Sequence, residues 1–307
     1  MPSSRLARSA ARLLLDWLNE RFDARLAGLE PHGDAFVATD GAHRAGVYIA
    51  PLWEEDASWE ARLLSIEERL SADGAYLLWV PPRAGVPHEP ELAAFIERVE
   101  RAAAALAPGG SMEVAFPVTV KLAKQREEGG YASVVGGLSR WWTRITENVQ
   151  GTYYVDSSAV HRLTDDGDAR EQLWREIGEI AKGVQLGQAA ELEVDEAWTL
   201  QRLASDDGGG IALAGAPPGV DPTEGILVRR IVRKRLAAAN EALGALEVDL
   251  RAVGLIGSYE YPEVETAGAA VKALDPSLFS RLEAVCVLAD GGVRPVFLPR
   301  ALPWASA

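Results

Sequence analysis

Cysteine is nearly absent from this 307-residue chain: Cys286 stands alone, which excludes an internal disulfide framework. Four scattered histidines and that one thiol give no zinc-finger or zinc-ribbon spacing, so no metal is expected. Long apolar runs are missing too, since nothing approaches the ~20 residues needed to span a bilayer. Positive charge is scarce, with 31 Lys and Arg against 45 Asp and Glu and a net charge of −14. Such a balance argues against attachment to nucleic acid or an anionic membrane through the overall field. Lysine is rarest among the charged residues; Arg far outnumbers Lys121, Lys124, Lys182, Lys234 and Lys272, a bacterial bias. What is plentiful is tryptophan, at nine, within a composition that is 48% hydrophobic and otherwise that of an ordinary globular protein.

The first residues, MPSSRLARSAARLLL, have the Arg, Ser and Ala content of a transit peptide. Their continuation reads differently. Leu6, Ala10, Leu13, Leu14, Trp17, Leu18 and Phe22 recur at steps of three and four, with Arg5, Arg8, Arg12, Asp16, Asn19 and Asp23 opposite. This predicts a structural amphipathic helix with Ser3 or Ser4 as N-cap, and the cytoplasm as the expected setting. Strands are predicted at 35–39 and 45–51, joined by Asp40-Gly41, a hairpin signal. A helix carrying Trp59, Leu63, Ile66 and Leu70 follows, then the apolar run 75–80, a strand covered on both faces. The next helix carries Leu92, Ile96, Val99, Ala103 and Leu106, and a strand over 112–122 includes Pro117.

From Tyr131 to Leu203 only 152–155 reads as a strand; the rest reads as helix, and acids accumulate from Asp156 to Asp207. Glycine and proline cluster over 205–225, a linker signal. Beyond it come a helix with the seam Val228, Val232, Leu236, Ala239 and Leu243, buried strands at 252–257 and 284–289 with a helix between them, and a turn at Asp290-Gly291-Gly292. The expected class is therefore α/β: a mixed α/β N-terminal domain over 1–125, a helical middle region over 126–205, a linker over 206–225 and a smaller C-terminal α/β unit over 226–307.

Motifs for chemistry are incomplete. Gly210 and Gly215 have the spacing of a phosphate loop, but Ala216 and Pro217 stand where Lys and Ser or Thr are required. Gly136-Gly137-Leu138-Ser139 reads as a turn feeding a helix. Asp156, Ser157 and His161 bring an acid, a hydroxyl and a base together without a G-x-S-x-G elbow, so capping is the expected role. Asp165-Asp166-Gly167-Asp168 lacks the later glutamate of a calcium loop and reads as a helix cap.

A helix, an acid-bearing β-hairpin, a helix and a buried strand, in that order, resemble the restriction-endonuclease-like nucleases. The resemblance implies metal-assisted phosphodiester hydrolysis, with magnesium held by an Asp and a Glu and water oriented by a Lys two residues after the Glu. Asp34, Asp40 and Glu54 are the candidate carboxylates. The second strand reads Val47-Tyr48-Ile49-Ala50-Pro51, without a Glu-x-Lys, so the implied site is degenerate.

Arg229, Arg230, Arg233, Lys234 and Arg235 form the only basic cluster. The first four fall within about 140° of helical arc, facing away from the apolar seam. They suit an acidic protein or, as a second class, nucleic acid; the plainer alternatives are a solvated face or internal neutralisation of the acidic 156–207 stretch. Trp17, Trp59, Trp79 and Trp198 fit core stripes. Trp53 is unexplained, and adjacent Trp141 and Trp142 point about 100° apart on a helix, so either a second surface covers that helix or one ring belongs to a partner-binding surface. The first alternative is expected. The functional expectation is a non-catalytic interaction or scaffold subunit of a larger assembly, with a protein partner, no membrane and no cofactor, magnesium entering only under the nuclease alternative.

Overall fold

The computed structural model describes residues 4–204, 209–221, 224–258 and 260–304. Its class is mixed α/β. In chain order come α1 (Ser4–Phe22), β1 (Ala27–His32), β2 (Ala35–Thr39), β3 (Arg44–Pro51), α2 (Ala57–Glu67), β4 (Ala75–Trp79) and α3 (Glu91–Ala105). Then follow β5 (Ser111–Arg126), β6 (Gly130–Gly136), α4 (Trp142–Glu147), β7 (Gly151–Ser157), α5 (Gly167–Gly183), β8 (Ala189–Arg202) and β9 (Gly210–Ala214). The last elements are α6 (Gly225–Gly244), β10 (Leu250–Ile256), α7 (Glu260–Lys272), β11 (Ala284–Ala289) and β12 (Gly292–Phe297). Ser3 and 205–208, named above as cap and linker, lie outside the described residues, as does Pro222, where the helix with the Val228 seam is expected to begin. Among the described residues no helix is long and apolar enough to cross a membrane.

The chain forms two compact units, one of Met1–Met112 with Thr199–Ala307, the other of Glu113–Trp198. In the first unit the strands order as β1-β2-β3-β10-β11-β12. β3, β10 and β11 are parallel, flanked by antiparallel β2 and β12. The stretches before and after the predicted linker thus share one sheet, through the β3–β10 pairing. Alternate residues of the parallel strands face opposite cores. Val253, Leu255, Val285 and Val287 meet the α6 seam of Val228, Val232, Leu236, Ala239 and Leu243. Val47, Ile49, Ala252, Ile256, Cys286 and Leu288 meet α1. A sheet covered on both faces requires apolar residues at every position, which is why these strands read as unbroken runs.

The helix α1 is covered more completely than a single apolar stripe implies. Its core also contains Ala75, Leu77 and Trp79 of β4 and Ala212 and Ala214 of β9, and even Ser9 and Arg12 are buried. Ala10 and Ala11 keep the helix narrow, and Gly254 in the central strand leaves room for Leu14. A Cβ at Gly254 would lie 2.6 Å from Ile49 Cδ1 and 3.3 Å from Leu14 Cδ2. The strand β9 occupies part of the stretch read as a linker; its Ile-Ala-Leu-Ala core is apolar but short and bracketed by glycine and proline, which hid it.

In the second unit the strands β6-β7-β5-β8 carry helices on one face only. Val120, Leu122, Ala132, Tyr153, Val155, Leu192 and Val194 pack against Ile145, Trp174 and Ile177. The other face presents Thr119, Lys121, Tyr131, Tyr154, Glu191, Glu193 and Asp195 to solvent. The middle of the chain is thus mixed rather than helical. Its strand β8 alternates Glu191-Leu192-Glu193-Val194-Asp195, a period of two, which the wider spacing of Leu192, Trp198 and Leu203 obscured.

Candidate interaction surfaces

The three carboxylates suggested for magnesium do not make one site. Asp34 lies in the turn before β2, Asp40 in the turn after it, and Glu54 beyond the end of β3. Asp40 Oδ1 accepts hydrogen bonds from the Ala42 N–H at 2.9 Å and the His43 N–H at 2.7 Å, and these hold its carboxyl below the usual range. Glu54 pairs with Arg230 at 2.6 Å. Among the described residues no group of three or more His, Cys, Asp and Glu could hold a metal ion.

The middle-region motifs serve the fold. Ser157 donates its hydroxyl to Val135 O at 2.5 Å and accepts from the Leu138 N–H at 3.0 Å, tying down the turn at Gly136-Gly137. Ser158 donates to Asp156 at 2.6 Å. Neither hydroxyl is offered to His161, whose Nδ1 lies 3.2 Å from Glu196. Glu196 is buried, and its other oxygen accepts from Trp198 Nε1 at 3.1 Å. This pair escaped the sequence reading because its signal was the strand alternation of β8. Asp166 caps α5 through the Asp168 and Ala169 N–H groups, as its position predicted.

The basic cluster divides by helical position. Arg235 stands seven residues after Val228, on the seam, and is buried: it donates to Pro51 O, Trp53 O and Glu55 at 3.4, 3.3 and 3.0 Å. It therefore satisfies the backbone at the end of β3 and holds the Glu55 carboxyl below its usual range. Trp53, unexplained from sequence, is a buried member of the α1 core. On the outer face, Arg229 donates to Ala273 O at 3.2 Å, and Arg230 takes Glu54. Arg233 and Lys234 are exposed and make no hydrogen bond or ion pair among the described residues. Ile226, one turn before Arg230 and two before Arg233, is 84% exposed. An apolar side chain and free cations thus share one outward stripe.

The tryptophan pair divides as well. Trp141 is half-buried against Trp174, with ring centroids 5.7 Å apart, and the Arg140 and Arg170 guanidiniums lie 5.4 and 5.5 Å from its ring centre. Trp142 is 48% exposed and touches only the rim, its ring 6.2 Å from that of exposed Tyr131. The expectation that a second surface covers both rings is corrected: one ring faces the core and the other faces solvent. Compared with models of protein families, with curated proteins and with solved structures, the chain matches none.

Proposed function

We propose that this chain is a non-catalytic interaction subunit of a larger assembly, and that it docks an acidic protein on the outer face of α6. The observation that carries this reading is the stripe of Ile226, Arg230, Arg233 and Lys234, exposed on a molecule of net charge −14. Arg233 and Lys234, without a partner among the described residues, favour an oppositely charged partner and suppress association with like copies of the surface. Exposed Ile226 supplies an apolar anchor of the kind that an acidic helix or loop with its own apolar residue would cover. The aromatic patch of Tyr131 and Trp142 is a second contact surface of the same character, without the charge.

The test is quantitative cross-linking of the tagged chain in a lysate of its own source cells, comparing wild type with the Arg233→Glu/Lys234→Glu double variant and, as a control, with Arg300→Glu at an exposed arginine beyond the end of β12. The expected result is a partner whose cross-linked segment is acidic, lost in the double variant and kept in the control. A chain that remains monomeric, or a partner insensitive to the charge reversal, overturns the proposal. Retention on labelled RNA or DNA that weakens steeply with salt would assign the face to nucleic acid instead. Magnesium-dependent cleavage abolished by Asp40→Ala would replace this reading with the nuclease one.

A further inference from the structure

A polar cleft opens in the first unit where the end of α1 meets the end of β8 and the β11–β12 turn. Its volume is about 600 Å³, within the range of small-molecule sites. Asp16 and Trp17 line it from α1, Gln201 and Arg202 from β8, and Gly291 and Arg294 from the hairpin. Asp16 points to a ligand: its half-buried carboxylate, on the polar side of α1, lines the cleft, where a charge out of water is costly unless something uses it. Burial pushes its carboxyl up, against the pull of Arg12 and of the Ala204 backbone N–H. Independently, Gln201 Oε1 is buried without a hydrogen-bond partner among the described residues. A buried acceptor left empty in a polar cleft is a cost that a ligand's hydrogen would remove.

The lining also limits the class of ligand. Asp16 and Glu20 balance Arg202 and Arg294, so the cleft has no net charge to draw a cation or an anion. Asn19 is occupied, donating to Leu26 O and accepting from its N–H. Arg202 is held by Leu106 O at 2.8 Å and lies 5.6 Å from the Tyr76 ring centre. The lining thus offers a buried acceptor at Gln201 and a buried donor at Arg202 Nε, a mixed rather than a single polarity. Gly291, at φ +81°, contributes no side chain to the wall.

We propose that this cleft binds a small neutral polyhydroxyl molecule of monosaccharide size, its hydroxyls donating to Asp16 and Gln201, with a ring face against Trp17. A hydroxyl both donates and accepts, which suits a lining of mixed polarity and zero charge, and half-buried Trp17 offers the apolar platform a sugar ring needs.

The test is saturation-transfer NMR with glucose, ribose and inositol at millimolar concentration, with putrescine and glycine as the cationic and zwitterionic arms. The expected result is transfer from at least one polyol and from neither control, with affinity falling about tenfold in Gln201→Leu or in Asp16→Asn. In Trp17→Phe the ligand-induced fluorescence change is lost. Thermal unfolding checks that each variant is folded, and the isosteric Asp16→Asn stands in should Gln201→Leu not fold. No transfer from any of the three polyols, transfer unchanged in a folded variant, or selective transfer from putrescine or glycine overturns the proposal. Failure here leaves the α6 reading intact, because the two sites share no residue.

Discussion

In the first unit the parallel strands β3, β10 and β11 lie between α1 on one face and α6 and α7 on the other; in the second, β5, β7 and β8 carry helices on one face and solvent on the other. The sequences of the strands follow this difference directly. β11 reads Ala-Val-Cys-Val-Leu-Ala, buried throughout, while β8 begins Ala-Ala-Glu-Leu-Glu-Val-Asp with burial at every second residue. The acids that accumulate over the middle of the chain include Glu191, Glu193 and Asp195, members of an open sheet face. These three belong to a solvated sheet face.

The sharpest way to break this comparison is to remove core volume and set the loss beside that of an open-face change. Leu14→Ala in α1, with its side chain wholly buried, is expected to lower stability by about 3 kcal/mol in urea unfolding. Gly254→Ala adds a methyl where Ile49 and Leu288 already stand, and is expected to cost about 2 kcal/mol; a neutral result would mean that α1 does not close on that strand. The doubly covered sheet also predicts a pH response. Burial pushes the Cys286 thiol from 9.0 up to about 12, so the native state holds its proton after the unfolded chain has lost it. Its contribution is therefore complete below pH 9 and declines as pH rises toward 12, a decline that Cys286→Ala should lack when stability is measured from pH 8 to 11. Native Cys286 should accordingly resist Ellman's reagent until the protein is unfolded. The smallest effect is expected on the open face, where Thr119→Val should change stability by no more than about 0.5 kcal/mol. A Thr119 loss comparable to that of Leu14→Ala would show that the face is covered.

Much of the first unit was legible because burial on both faces imposes a simple rule. Runs such as Ala252–Gly257 need no periodicity, the α6 seam repeats at three and four, and Asp290-Gly291 supplies positive φ at both turn residues. β8 was not legible because a short alternating segment ends in the fully buried Trp198, Thr199 and Leu200, so its apolar content imitates a helical stripe. The outer α6 face could be read from angular position alone, and so could the exclusion of Arg235. What Arg235 does was hidden, since its partners are 180 or more residues away. The same distance hides the polar cleft: Asp16 reads as one more residue on the polar side of α1, and nothing local joins it to Gln201 or Arg294.

Arg235 has a consequence for how fast the proposed partner would bind. Three contacts from one buried guanidinium to the end of β3 prevent α6 from rolling about its axis, so the cationic stripe is presented in a fixed orientation before any encounter. Under the proposed docking, an acidic partner would meet a finished surface and order little on arrival. Encounter would then depend on diffusion and on charge, and the association rate should fall with ionic strength while the dissociation rate, governed on that reading by the Ile226 contact, should change little.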